Sequence, residues 1–353
     1  MNTEFNSRLQ IIEGVLNTSL PSQSNEEWRA FSFGNIDSCV TDIHLSNLIT
    51  PCRTLIDLGG KRWRPLLLVL CAELASDSSS QSVEKAYQLT PLVEFAHTAS
   101  LIHDDIEDCA DTRRGQDCAY RTYGLDTALN AGSWLYFEAA ACIKKLNVSD
   151  SEKLNLYELF LLELRRLHLG QAMDILWHRN PDMIPSAAQY TAMVSNKTGT
   201  LSRLAVKLGA FAGGASTSYM EKAGTFAQNI GCGFQIIDDV INLTTGNPGK
   251  KRGDDIVEGK KSLPVLIHLE KNPSDKELLS SLFKKARSEG IDSPAVEEAI
   301  SIISKGGAID EARDKGKKII SENAHALSSL FGNQNSKPAL LINELFDLLQ
   351  TKA

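Results

Sequence analysis

Two pairs of adjacent aspartates interrupt otherwise apolar helical stretches of this chain, and any fold it adopts has to accommodate both. The first pair lies in LIHDDIEDCADTRRG, residues 101–115. Upstream of it Leu89, Leu92, Val93, Ala96 and Ser100 recur at helical spacing. Asp104 and Asp108, four residues apart, are therefore predicted on one helix face, with Asp105 beside them. Like charges at that spacing repel, so such a face has to be well solvated or neutralised by cations. The second pair, Asp238 and Asp239, sits in FQIIDDVINL, residues 234–243, with Asn242 following at helical spacing. Its flanks, Phe234, Ile236, Ile237, Val240 and Ile241, leave little polar face, so these carboxylates need partners.

Carboxylate oxygens are the ligands Mg²⁺ prefers, and that ion usually shares its shell with water and substrate phosphates. A diphosphate ester is the natural second partner. If two antiparallel helices face each other, their aspartates form opposite walls of one metal site, as bundle proteins build sites from inward-projecting side chains. The plainer alternatives are an acidic, solvated helix end for the first pair and an N-cap or surface ion pair for the second.

The chain of 353 residues is long enough to bury a large core, and the expectation is one all-α domain. Within it residues 1–50 read as N-terminal helices, 51–265 as a catalytic core and 266–353 as outer helices without chemistry. No run of 18 apolar residues suggests a transmembrane helix. The first residues carry early acidic side chains and no sustained apolar core, which argues against a secretory signal. A net charge of −7 argues against a general nucleic-acid partner. Seven cysteines, odd in number and without a CxxC pair, read as reduced thiols of a cytoplasmic protein.

Three further stretches complete the pattern. In LGGKRWRPLLLVL, residues 58–70, two glycines precede three cations and a buried helix, a combination that suits a phosphate. Lys197 and Thr198 stand between two apolar-periodic runs and predict a helix break, which frees carbonyls toward a cation. The segment TTGNPGKKRGDDIVEGKK, residues 244–261, is dense in glycine and lysine and reads as a loop that closes over phosphates.

GGKRWRP (59–65), DDIED followed by RRG (104–115), KTG (197–199), FQIIDD (234–239) and GDDIVEGKKSLP (253–264) occur in the order seen in trans-isoprenyl diphosphate synthases. Five ordered motifs over residues 50–320 make the resemblance specific, and HLGQAMDILW (168–177) and DDVIN bring it nearest to geranylgeranyl diphosphate synthases. The resemblance implies a helical bundle of the isoprenoid synthase type with a central active-site cavity, several Mg²⁺ ions and a homodimer. It implies head-to-tail condensation of isopentenyl diphosphate with an allylic diphosphate, by ionisation, condensation and elimination. Asp104, Asp105, Asp108, Asp238 and Asp239 would be metal ligands. Arg113, Lys197, Lys250 and Lys260 would clamp the allylic diphosphate, with Asp255 in the same loop. Lys61, Arg64, His97 and Arg114 would hold isopentenyl diphosphate, and Thr198 and Gln235 the reacting end. The sequence departs from the pattern at Asp117, Tyr120 and Ser133, which affects loop packing more than the metal site.

One helical turn advances 5.4 Å, close to one isoprene unit, so residues one and two turns before Asp104 would line the growing tail. Ser100, Ala99 and Ala96 are all small there, which predicts a product longer than farnesyl, geranylgeranyl diphosphate first. Longer polyprenyl or farnesyl products are the alternatives, as is a catalytically idle partner subunit. A terpene cyclase would not need the GGKRWRP loop.

Overall fold

The computed structural model describes residues 3–246, 251–332 and 334–350. Among them are seventeen α-helices: α1 (Thr3–Ser19), α2 (Glu26–Phe33), α3 (Asp42–Asp57), α4 (Trp63–Ala75), α5 (Ser80–Glu107), α6 (Ala119–Tyr123), α7 (Leu125–Ala139), α8 (Asp150–Arg179) and α9 (Ala187–Lys197), followed by α10 (Gly199–Ala212), α11 (Thr217–Thr244), α12 (Asp254–Glu258), α13 (Leu263–Lys271), α14 (Lys276–Glu289), α15 (Pro294–Lys305), α16 (Ala308–Ser329) and α17 (Lys337–Gln350). The protein is all-α. One two-stranded hairpin, β1 (Thr112–Arg113) with β2 (Gln116–Asp117), interrupts the helices, and the sequence had not signalled it. No helix among the described residues is long and apolar enough to cross a membrane. All seven cysteines are free thiols.

The helices fall into two compact units. The first comprises Met1–Leu164, Leu204–Ala223 and Asn333–Ala339. At its centre α4 is buried at every position from Trp63 to Leu74. Apart from Arg64 and Glu73 its side chains from Trp63 to Leu74 are apolar, and a helix so nearly apolar all round is stable only when enclosed. Against it runs the long α5, whose Leu89, Leu92, Val93, Phe95 and Ile102 are fully enclosed. Pro91 sits inside α5 and lacks the N–H that would bond the Tyr87 carbonyl; the Thr90 hydroxyl donates to that carbonyl instead, at 2.7 Å. The helix ends where the aspartates begin. Cys109 adopts a left-handed φ of 54°, while its N–H and that of Ala110 donate back to Ile106 and Asp105, closing a Schellman cap.

The second unit comprises Arg165–Arg203, Gly224–Gly332 and Leu340–Ala353. Its core gathers Val240 and Leu243 of α11, Val265 and Leu266 of α13, Phe283 of α14, and Val296 and Ile300 of α15. The predicted break at Lys197 is present: α9 stops there, Thr198 caps it through an N–H to the Val194 carbonyl, and α10 starts at Gly199.

Candidate active site

In the first unit the hairpin decides where two consecutive arginines go. Its turn residues, Arg114 and Gly115, both take left-handed φ values, 55° and 79°, as a tight two-residue hairpin turn requires. Arg113 and Arg114 consequently serve different partners. Arg113 reaches back to α5, donating through Nε to Asp105 at 2.8 Å and pairing with the same oxygen through Nη2, with Asp104 at 3.7 Å. Burial works against the Arg113 charge, yet the Asp105 carboxylate holds its pKa above the ordinary value. Asp105 is 2% exposed. Asp104 and Asp108 are only half-buried, on the same face of α5 and its cap.

Arg114 points to the Gly–Gly loop. Its Nη1 donates to the Leu55 carbonyl at 3.0 Å and to that of Gly59. A Cβ built on Gly60 would lie 2.8 Å from Arg114 Nη2 and 3.1 Å from its Cζ, and the Gly60 φ is 150°. A side chain at Gly60 would be strained by the positive φ and would press on the Arg114 guanidinium. Beyond the loop Lys61 is exposed, while Arg64 is buried and its guanidinium lies 4.5 Å from the Trp63 ring centroid. His97 on α5 is pushed well below the ordinary imidazole value, first by burial and then by Arg64, Arg114, Arg113 and Arg62 in that order. Arg64 and Arg114 give this imidazole a basic surround, a cradle suited to an anion of high charge, whereas Arg113 and Arg62 are engaged by carboxylates of the protein. Ser100 is half-buried, and Ala96 and Ala99 are fully enclosed.

The remaining predicted residues belong to the second unit. Lys197 Nζ pairs with Asp174 of α8 at 2.7 Å. One turn before Asp174, a Cβ on Gly170 would collide with the backbone nitrogen of Lys197, so only glycine lets α8 come this near to α9. From the helix break a hydrogen-bonded chain leads to the second aspartate pair. The Thr198 hydroxyl donates to Gln235 Oε1 at 2.8 Å, and Gln235 Nε2 to Asp239 Oδ1 at 3.0 Å. The Tyr190 hydroxyl donates to Asp239 Oδ2 at 2.6 Å, and the Leu263 N–H to the same oxygen at 3.3 Å. Burial pushes the Asp239 carboxyl up to about 6, against the hydrogen bonds from Gln235 and Tyr190. Asp239 thus ties three helices together, while the adjacent Asp238 is only half-buried.

Asn242, four residues on from Asp238, is 2% exposed and anchors Gly253 and Asp255. Its backbone carbonyl accepts from the Gly253 N–H at 2.9 Å and its side-chain oxygen from the Asp255 N–H at 3.3 Å. Lys260 pairs with Glu258 and lies 3.8 Å from Asp255. Lys250 falls outside the described residues. Sequence reasoning missed Tyr190, Arg62 and Glu94. A buried tyrosine partner leaves no motif, and Arg62 looked like any other cation of the KRWR run.

Among the described residues no three carboxylate, imidazole or thiol groups converge into a ready-made metal cage. The donor set nevertheless suits Mg²⁺, which binds through one or two carboxylates plus water and phosphate oxygens. Each unit offers carboxylates of that kind, Asp104 and Asp108 on one and Asp238 on the other.

Comparison with known proteins agrees with this chemistry. The polyprenyl synthetase family model matches residues 46–303. Geranylgeranyl pyrophosphate synthase of Macrophomina phaseolina is 33% identical over 282 residues, 79% of this chain and 82% of the relative. Geranylgeranyl pyrophosphate synthetase from Pyrococcus horikoshii superposes with a TM-score of 0.82 at 26% identity, covering 99% of this chain and 97% of the other. The polyprenyl synthase of Caulobacter crescentus, solved in complex with calcium and isoprenyl diphosphate, gives a TM-score of 0.79 at 25% identity, with 99% and 98% covered. This chain belongs to the polyprenyl synthetase family and is a trans-prenyltransferase.

Proposed function

We propose that the protein condenses isopentenyl diphosphate with an allylic diphosphate to give geranylgeranyl diphosphate, in the presence of Mg²⁺. The observation that carries this reading is the basic cradle around His97 on the same helix as Asp104 and Asp108. An acceptor diphosphate and a metal-bound allylic diphosphate each find their own class of ligand there. The Caulobacter crescentus relative, with calcium and isoprenyl diphosphate bound, supports the pairing of metal and diphosphate.

In this reading Asp104 and Asp108 of the first unit and Asp238 of the second would be the residues that hold the metal. When bound, Mg²⁺ supplies positive charge to the departing diphosphate. Arg113, Lys197 and Lys260 add fixed positive charge on the same leaving group, and Lys250 extends the set. Asp105 and Asp239 act one step back, Asp105 by holding Arg113 and Asp239 by holding Gln235 and, through it, Thr198. Lys61, Arg64, His97 and Arg114 bind isopentenyl diphosphate and orient its double bond. His97, held below the ordinary imidazole value by burial and the neighbouring arginines, serves as a hydrogen-bond partner. No side-chain nucleophile is required, and the work of the protein is positioning and exclusion of water. Free thiols support a cytoplasmic setting. The exposed Leu125, Leu129, Phe137, Leu154 and Leu161 on α7 and α8 support a homodimer.

The small residues before Asp104 set the product length. Ser100→Phe is expected to shift the main product from twenty carbons to fifteen, read by chromatography of the dephosphorylated alcohols. Ala99→Phe should act in the same direction with some loss of stability, because Ala99 is enclosed and overpacking a core costs about 1–3 kcal/mol. An unchanged product profile in both variants contradicts this assignment.

A further inference from the structure

Between the exposed Lys61 and the stacked Arg64 stands a third cation that the proposed chemistry does not use. Arg62 is 5% exposed and takes a left-handed φ of 45°, as the residue that caps α4. For a residue with a side chain that conformation costs about 1–2 kcal/mol and persists only where the surroundings over-determine it. Here they do. Arg62 Nε donates to Glu13 of α1 at 2.7 Å, Nη1 to Glu94 of α5 at 2.6 Å, and Nη2 to the Ile56 carbonyl at the end of α3 at 2.6 Å. Its planar fork thus joins three helices at one point, a task that a lysine, with its single charged centre, cannot reproduce.

Glu94 is the informative partner. It is 2% exposed, its ion pair with Arg62 is buried on both sides, and it sits three residues before His97 on α5. It also lies ten residues before Asp104, which at 1.5 Å per residue is about 15 Å along one rigid helix. Arg62 turns inward between two neighbours placed differently, Lys61 exposed and Arg64 beside Trp63. The loop that carries the cations is thereby fastened to the helix that carries the aspartates, at a fixed distance from them. In a condensation between two diphosphate esters that distance sets where the double bond stands relative to the reacting carbon, and a misplacement of about 1 Å costs on the order of a hundredfold in rate.

We infer that the buried Arg62–Glu94 pair is a positioning device that sets the spacing between the acceptor-diphosphate cradle and the aspartate-bearing helix. The inference rests on the reading of that cradle as the isopentenyl diphosphate site. Arg62 and Glu94 touch neither substrate in this account; they act through Lys61, Arg64 and His97.

The test is steady-state kinetics on the full chain, with each substrate varied in turn and melting temperature recorded for every variant. Arg62→Gln and Glu94→Gln should each raise KM for isopentenyl diphosphate about tenfold and lower kcat, with KM for the allylic substrate changed less than about twofold. The double variant should be no worse than the poorer single one, since both remove one interaction. Arg62→Lys, which keeps the charge and loses the fork, should fall between wild type and Arg62→Gln. If Arg62→Gln does not fold, Arg62→Lys and Glu13→Gln decide: a selective rise in KM for isopentenyl diphosphate in either supports the inference. Parallel changes in both KM values, or a lowered melting temperature with both KM values intact, overturn it as a merely structural contact. Lys61→Ala separates the two levels of the claim. A rise in KM for isopentenyl diphosphate in Lys61→Ala without one in the Arg62 and Glu94 variants refutes the positioning role alone. No effect in Lys61→Ala refutes the cradle reading on which it rests.

Discussion

Asp104→Ala and Asp238→Ala are each expected to lower kcat by about a hundredfold to a thousandfold, the scale seen when one preorganised electrostatic contact to a developing charge is removed. Both side chains are half-buried, so neither change should move the melting temperature far. The decisive quantity is their combination. Residues that hold one metal–diphosphate assembly act as a unit, and removing two of them costs little more than removing the worse one. The double variant should therefore lie within about tenfold of the poorer single variant. Losses that multiply, or an Asp238→Ala enzyme with wild-type kcat, would mean that the two aspartate pairs do not serve a common site.

Asp105→Ala should behave differently from its neighbour although the two residues are adjacent. Asp105 is buried and its carboxylate answers Arg113 through two N–H groups, one of them at 2.8 Å. Removing one partner of a buried ion pair leaves the other charge uncompensated, at a cost of about 3–5 kcal/mol. The expected result is a melting temperature lowered by several degrees, measured by thermal denaturation, with activity lost in proportion to the misplacement of Arg113. Asp105→Ala combined with Arg113→Ala should recover part of the stability, because no lone charge remains. A variant as stable as wild type that loses activity as fully as Asp104→Ala would instead make Asp105 a direct metal ligand.

The contrast between Asp104 and Asp105 shows where sequence reasoning reached and where it stopped. Helical periodicity placed the aspartates on an apolar helix, and α5 and α11 are found there with the carboxylates at the expected positions. The break at Lys197 was legible for a similar reason, since two apolar runs abut at residues that suit neither core. Periodicity does not say which of three neighbouring carboxylates faces outward. That depends on Arg113, whose direction is set by a hairpin of two residues per strand with arginine at a left-handed turn position. Such a turn carries none of the usual Asn–Gly signal. In the same way Lys61, Arg62 and Arg64 are one basic run in sequence, yet Arg62 turns to the buried Glu94 and the part-exposed Glu13 while Lys61 is exposed. Asn242, placed by the sequence at helical spacing after the second aspartate pair, accepts from the Asp255 N–H and holds the start of α12.

The most direct test of the central claim is product analysis: purified protein with isopentenyl diphosphate, Mg²⁺ and each of dimethylallyl, geranyl and farnesyl diphosphate, followed by mass spectrometry of the dephosphorylated alcohols. The account predicts a twenty-carbon alcohol from all three primers, and none when a chelator removes the metal. Absence of any alcohol longer than the primer supplied, in every assay, would contradict it and point to a catalytically idle subunit. A series of longer alcohols would keep the prenyltransferase and discard the assignment of chain length to the residues before Asp104.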